Sequence, residues 1–127
     1  MVIIDTNIII DHLRKKNKKD SLLIKMFQQY LKDELAISVI TIQELFEGKS
    51  TLDPQKEKAL LEILSLFQIL PYSSEVAELA GKIARDSGPI EFADAAIAAT
   101  TIINNSQLLT LNKKDFIKIE GINFLNL

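Results

Sequence analysis

The stretch Val2-Ile3-Ile4-Asp5-Thr6-Asn7 constrains the fold of this chain more than any other. Three apolar, β-branched residues without polar alternation read as a strand covered on both faces, the pattern of a parallel sheet. Thr6 and Asn7 are good helix N-caps, so the strand is expected to lead straight into a short helix over Ile8–Leu13. Asp5 then stands at the carboxyl end of a buried strand, where open α/β sheets place their ligands. A carboxylate there is desolvated and needs a cation or a proton as partner.

The remaining chain repeats this alternation. Asp20-Ser21 precedes Leu22, Leu23, Met26, Phe27, Tyr30 and Leu31 at helical spacing, an amphipathic helix to about Asp33. Leu35–Val39 reads as a second strand, and Thr41 opens a helix that Gly48 ends. Asp53-Pro54 restarts a helix with Leu60, Leu61, Leu64 and Phe67 inward. Ile69-Leu70-Pro71 is a third strand, and Ser73 or Ser74 caps a helix closing near Gly88. Pro89 and Glu91 introduce the most apolar helix, Phe92–Ile103, which should be central. Gln107–Leu111 is a fourth strand, Lys113–Ile117 a helical turn, and Ile122–Leu125 a fifth strand after Gly121. Strands alternating with helices predict an α/β protein with a parallel sheet of about five strands covered on both faces. A length of 127 residues predicts one domain, residues 1–127.

Composition removes several functions. With no cysteine there is no disulfide framework, zinc–thiolate site or thiol nucleophile. No apolar run approaches the roughly 18–20 residues that cross a bilayer, and no basic stretch precedes the first apolar segment, so a cytoplasmic location without membrane contact is expected. Neither phosphate-cradling glycine motif is present, nor a Gly-x-Ser-x-Gly elbow. His12, the only histidine, lies about 10 Å of helix rise beyond Asp5, which suits a surface position at a helix end better than a catalytic triad. The net charge of −2 is uneven: without the five cations of Arg14, Lys15, Lys16, Lys18 and Lys19, the rest carries −7. A solvated loop at a helix C-terminus explains that run more simply than a track for a nucleic-acid backbone.

Carboxylates remain. Glu44 follows the second strand, Asp94 opens the apolar helix, and Asp115 follows the fourth strand, so all three join Asp5 near one edge of the expected sheet. Each has an ordinary alternative. Thr41-Ile42-Gln43-Glu44 matches a capping box, Asp94 complements a helix dipole worth ~0.3–1 kcal/mol, and Asp115 beside Lys113 and Lys114 fits a solvated turn. Four acids converging in a low dielectric, however, repel one another. Hard oxygen ligands with open positions suit Mg²⁺ or Mn²⁺, and such an ion would also let an acidic protein take a polyanion.

These residues resemble the motifs of the PIN-domain ribonucleases. Ile4-Asp5-Thr6-Asn7 and Ile40-Thr41-x-x-Glu44-Leu45-x-x-Gly48 are similar to the first two motifs. Ala93-Asp94-Ala95-Ala96-Ile97-Ala98-Ala99-Thr100 is similar to the third, and Leu109-Thr110-x-Asn112-x-x-Asp115-Phe116 to the fourth. The Ala-Asp-Ala block is the most specific, and the match spans nearly the whole chain, which looks most like the compact VapC-type toxins of toxin–antitoxin pairs. The resemblance implies an α/β/α sandwich and a Mg²⁺- or Mn²⁺-dependent endoribonuclease. It implies catalytic acids Asp5, Glu44, Asp94 and Asp115, metal binding by Asp5 and Asp94, and supporting roles for Thr6 and Asn112. In that scheme a water on the metal attacks phosphorus in line and leaves a 5′-phosphate. Glu91, three residues before Asp94, would be an accessory acid outside the core set. The resemblance further implies a cognate antitoxin and a homodimer, with Met26, Phe27, Tyr30, Leu31, Leu45 and Phe46 offering an apolar groove or ordinary core. The competing readings are a housekeeping PIN nuclease and a catalytically silent PIN-like interaction module. A receiver-like phosphoacceptor would need an acid pair at the first strand and a lysine at a late one, and neither is present.

Overall fold

The computed structural model describes residues 1–126. In chain order the elements are β1 Val2–Ile4, α1 Thr6–Arg14, α2 Leu22–Gln29, β2 Leu35–Ser38, α3 Val39–Glu47 and α4 Pro54–Leu64. They continue with β3 Gln68–Leu70, α5 Ser74–Asp86, α6 Phe92–Ile103 and β4 Gln107–Leu109. The four strands are parallel in the order β3-β2-β1-β4. Every strand therefore ends at the same edge.

The strands are buried on both sides because alternate side chains enter two separate cores. Val2 and Ile4 of β1, Leu35 and Ile37 of β2 and Leu109 of β4 face α1, α2 and α4, where Ile8, Ile9, Leu23, Met26, Leu60 and Leu64 pack. Ile3, Ala36 and Leu108 face the opposite layer, built on Val76, Ala80 and Ile83 of α5 and the Ala-rich α6. That alternation makes the α/β/α sandwich expected from the sequence. Among the described residues no helix is long and apolar enough to cross a membrane.

Four expectations change. The fifth strand shrinks to one parallel bridge, Phe124 with Leu108, in which Leu108 exchanges both of its backbone hydrogen bonds with Asn123 and Leu125. The ladder stops there because β4 itself ends at Leu109 rather than Leu111: Thr110 turns away to bond Asp5, and the Leu111 N–H donates to Asn7. The helix after Ser21 closes at Gln29, not near Asp33, and Lys32–Glu34 forms a separate single turn. His12, expected at the surface, is buried, with Nδ1 2.7 Å from the Ser21 hydroxyl. Burial first, then the Lys18 charge, lower its pKa. Lys18 from the basic run explains part of that environment, since its Nζ donates to the carbonyls of His12, Leu13 and Lys15 at the end of α1. This is a C-terminal helix cap.

The residues suggested for an apolar groove divide. Met26 and Leu45 are core, whereas Leu31 and Phe46 are exposed. Phe27 and Tyr30 pack partly buried against the core of that layer.

Candidate active site

The carboxyl edge of the sheet opens into a cleft of ≈ 840 Å³ whose lining includes Asp5, Glu44, Asp94 and Asp115. Four different elements deliver these acids. Asp5 follows β1, Glu44 lies in α3 beyond β2, Asp94 sits in the first turn of α6, and Asp115 ends the 3-10 turn Lys113–Asp115 beyond β4. Asn7, Ile10, Glu91 and Asn112 also line the cleft.

Asp5 is the most enclosed, at 5 % exposure. It also caps α1, a role the sequence suggested for Thr6 or Asn7: its Oδ1 accepts from the Thr6 N–H at 2.8 Å. Oδ2 accepts from the Thr110 hydroxyl at 2.7 Å. Desolvation raises the pKa of Asp5 despite these two hydrogen bonds, and Asp115 adds to the rise. Helix capping and site geometry thus share one carboxylate.

Thr6 and Asn7, released from capping, orient other groups. The Thr6 Oγ1 lies 2.6 Å from Glu44 Oε1 and 2.9 Å from Thr41 Oγ1. One hydroxyl carries one proton, so with Glu44 ionised Thr6 donates to the carboxylate and accepts from Thr41. Thr41 itself is fully buried, because α3 begins at Val39 and is capped by Ser38, not by Thr41. Thr41-x-x-Glu44 is therefore no capping box here; Glu44 reaches across to α1. Burial is the main reason the pKa of Glu44 is raised, with Thr6 opposing and Asp5 reinforcing it.

Asn7 Oδ1 accepts from the Leu111 N–H at 3.2 Å, and its Nδ2 donates to Thr110 Oγ1 at 3.3 Å. Thr110 also accepts from the Asn112 N–H at 3.0 Å. Asn112, expected to support the site by its side chain, reaches this network through its backbone. From sequence, Asn7 and Thr41 are read as helix caps and Thr110 only as part of a motif, none of them as a site tether. A threonine directly after a buried strand, level with Asp5, was the available signal for Thr110.

Asp94 is held up to about pKa 7, by desolvation first and then by the charges of Asp5, Asp115, Glu91 and Glu44. The ion pairs among the described residues are Lys15–Asp11 and Arg85–Asp86, neither of which includes a cleft acid. Half-buried carboxylates that raise one another's pKa without a cationic partner form a donor set suited to a hard divalent ion. No three acids among the described residues are close enough to enclose an ion by themselves. A hard divalent ion that keeps several waters and takes only one or two carboxylates is compatible with such a set. Asp115 is exposed, and the adjoining wall of the cleft is fixed from beneath by Phe116, whose full burial contributes roughly 2–3 kcal/mol.

Fold and cleft define an α/β protein with an acid-lined opening at the carboxyl edge of a parallel sheet. The chain belongs to the PIN domain family, whose model matches residues 2–122. A protein from Rickettsia felis named Ribonuclease VapC1 is 34% identical over 133 residues, covering 98% of this chain and 94% of the relative. Ribonuclease VapC1 of Methanocaldococcus jannaschii is 32% identical over 123 residues, covering 94% of this chain and 81% of that protein. A chain in the crystal structure of VapBC2 from Rickettsia felis, bound to a DNA fragment from their promoter, superposes with a TM-score of 0.80. It is 26% identical, and the alignment covers 100% of this chain and 99% of that one.

Proposed function

We propose that this PIN-domain protein is an endoribonuclease, the toxin of a type II toxin–antitoxin pair, and that it hydrolyses RNA with Mg²⁺ or Mn²⁺. The observation that carries this reading is the gathering of Asp5, Glu44, Asp94 and Asp115 at one open cleft, with Asp94 raised to about 7. The relatives named ribonucleases and the VapBC complex support the activity and the antitoxin partner.

Asp5 and Asp94 are the residues that hold the ion, with Glu44 and Asp115 completing the acidic surround. Bound there, a hard divalent cation supplies positive charge that polarises a phosphodiester and acidifies water. The protein's own contribution is positioning. Thr6 N–H and Thr110 fix both oxygens of Asp5, and the Thr41–Thr6 pair fixes one oxygen of Glu44. Outer partners that hold ligating carboxylates in place usually matter about 10- to 100-fold in metal affinity or activity. Glu91 adds negative charge at the rim. Repulsion from these acids opposes an RNA phosphate in the cleft until a bound cation, or the loss of one acid's charge, relieves it.

Purified protein is expected to cut single-stranded RNA when Mg²⁺ or Mn²⁺ is added and to stop with EDTA. Asp5→Asn and Asp94→Asn should fold yet fail to cleave. Two folded variants that cleave like the parent would refute the acidic-site reading. Induced expression should arrest growth, and Asp5→Asn should relieve that arrest.

A further inference from the structure

The acid-lined cleft also receives two lysines, Lys114 and Lys118, both from the segment that follows β4. The lysines of this segment are sorted by direction. Lys113 turns away, with its Nζ on the Asn126 side chain and over the Phe124 ring. Lys114 and Lys118 line the cleft, while Phe116 and Ile119 between and beyond them are buried and pin the segment down. Among the described residues, neither Lys114 nor Lys118 lies within 4.0 Å of a carboxylate, although the cleft holds several. The basic run at 14–19 contributes no lining residue.

Two exposed cations on a backbone anchored by Phe116 and Ile119, beside a group of acids yet paired with none of them, leave their charge for an anion brought by a ligand. Resting on the nuclease reading above, we infer that Lys114 and Lys118 hold backbone phosphates of single-stranded RNA next to the bond placed over Asp5 and Asp94. They are positioning residues. Lysine suits this work, because a flexible point charge accepts any phosphate without demanding one geometry. The basic run at 14–19, although it carries more charge, is not the RNA track.

The test measures binding of a fluorescent single-stranded RNA oligonucleotide to Asp94→Asn protein by anisotropy at several salt concentrations. Lys114→Gln with Lys118→Gln should weaken binding about tenfold near physiological salt and flatten the log–log salt slope by about 1.4, at ~0.7 per phosphate contact. Lys15→Gln with Lys16→Gln should leave the slope unchanged. In the otherwise native protein, the Lys114/Lys118 pair should raise KM for RNA with kcat nearly kept, and Lys114→Arg with Lys118→Arg should restore it. A parent protein that binds and cuts RNA while the glutamine pair keeps the full slope and KM overturns this inference alone. A slope lost instead in the Lys15/Lys16 variant overturns it equally. A parent that neither binds nor cuts RNA with Mg²⁺ or Mn²⁺ overturns the nuclease reading and this inference together.

Discussion

The Thr110 hydroxyl donates to Asp5 Oδ2 at 2.7 Å, joining residues 105 positions apart. The same oxygen accepts from Asn7 and from the Asn112 backbone, so all its hydrogen-bonding capacity is committed. Asp5 is thereby held between α1, which it caps, and the turn after β4. Thr110→Val keeps the shape and removes the donor. It should cost about 1–2 kcal/mol in urea unfolding and weaken Mn²⁺ binding by roughly tenfold or more in calorimetry. Unaltered metal affinity in a folded Thr110→Val protein would mean that Asp5 needs no such restraint.

A second pair gives a prediction of a different shape. Thr6 stands between Thr41 and Glu44, receiving one hydrogen bond and giving the other. Thr6→Ser preserves both, whereas Thr6→Val leaves Glu44 with no partner inside the protein for that oxygen. RNA cleavage should stay within about threefold for serine and fall about 10- to 100-fold for valine. Equal rates in the two variants would show that Glu44 acts without being oriented by Thr6.

Much of this architecture was legible in the chain. Val2-Ile3-Ile4 gave a doubly buried strand because its residues supply both cores at once, and the apolar helix 92–103 lies where its composition put it. The differences at the helix caps share one cause. Polar residues at element ends suit local caps, but here long-range partners take them: Thr6 goes to Glu44, Asn7 to Leu111 and Thr110, and Thr41 to Thr6. Local sequence cannot distinguish an N-cap from a cross-element tether, since both want a short side chain with an oxygen. Its sequence position marks Asp5 as a site acid and leaves capping to its neighbours, though Asp5 serves the helix directly. The strand at 122–125 failed for the complementary reason, because its neighbour β4 gives up Thr110 to the cleft.

Away from the cleft, Ser21 caps α2 by accepting from the Ile24 N–H at 3.2 Å and pairs with His12 Nδ1 at 2.7 Å. With His12 neutral and its proton on Nε2, the hydroxyl donates to Nδ1 and accepts from the helix, linking α1 to α2. Ser21→Ala removes the cap, at about 1 kcal/mol, and leaves a buried ring nitrogen without its donor, at about 1–3 kcal/mol. Urea unfolding should therefore report a loss of about 2–4 kcal/mol. A loss below about 0.5 kcal/mol, the range of a neutral surface change, would show that the bond contributes nothing.

The strongest pH signature belongs to Asp94. Its carboxyl is raised from 3.8 to about 7 in the folded protein, so between those values the native state binds more protons than the unfolded chain. Stability must then fall as pH rises across that window. Asp5 and Glu44, also raised, act in the same direction. His12, whose pKa is lowered, acts in the opposite one, so the effect is read as the difference between parent and Asp94→Asn. In metal-free buffer the parent's melting temperature, relative to Asp94→Asn, should drop from about pH 5 to about pH 8. Adding Mg²⁺ or Mn²⁺ should raise the parent's melting temperature at about pH 8, where the acids are ionised, and barely at about pH 5, where protons compete. The Asp94→Asn protein should show a much smaller metal shift at both values. Parallel melting curves for the two proteins across the window, with equal metal shifts, would remove Asp94 from the metal site.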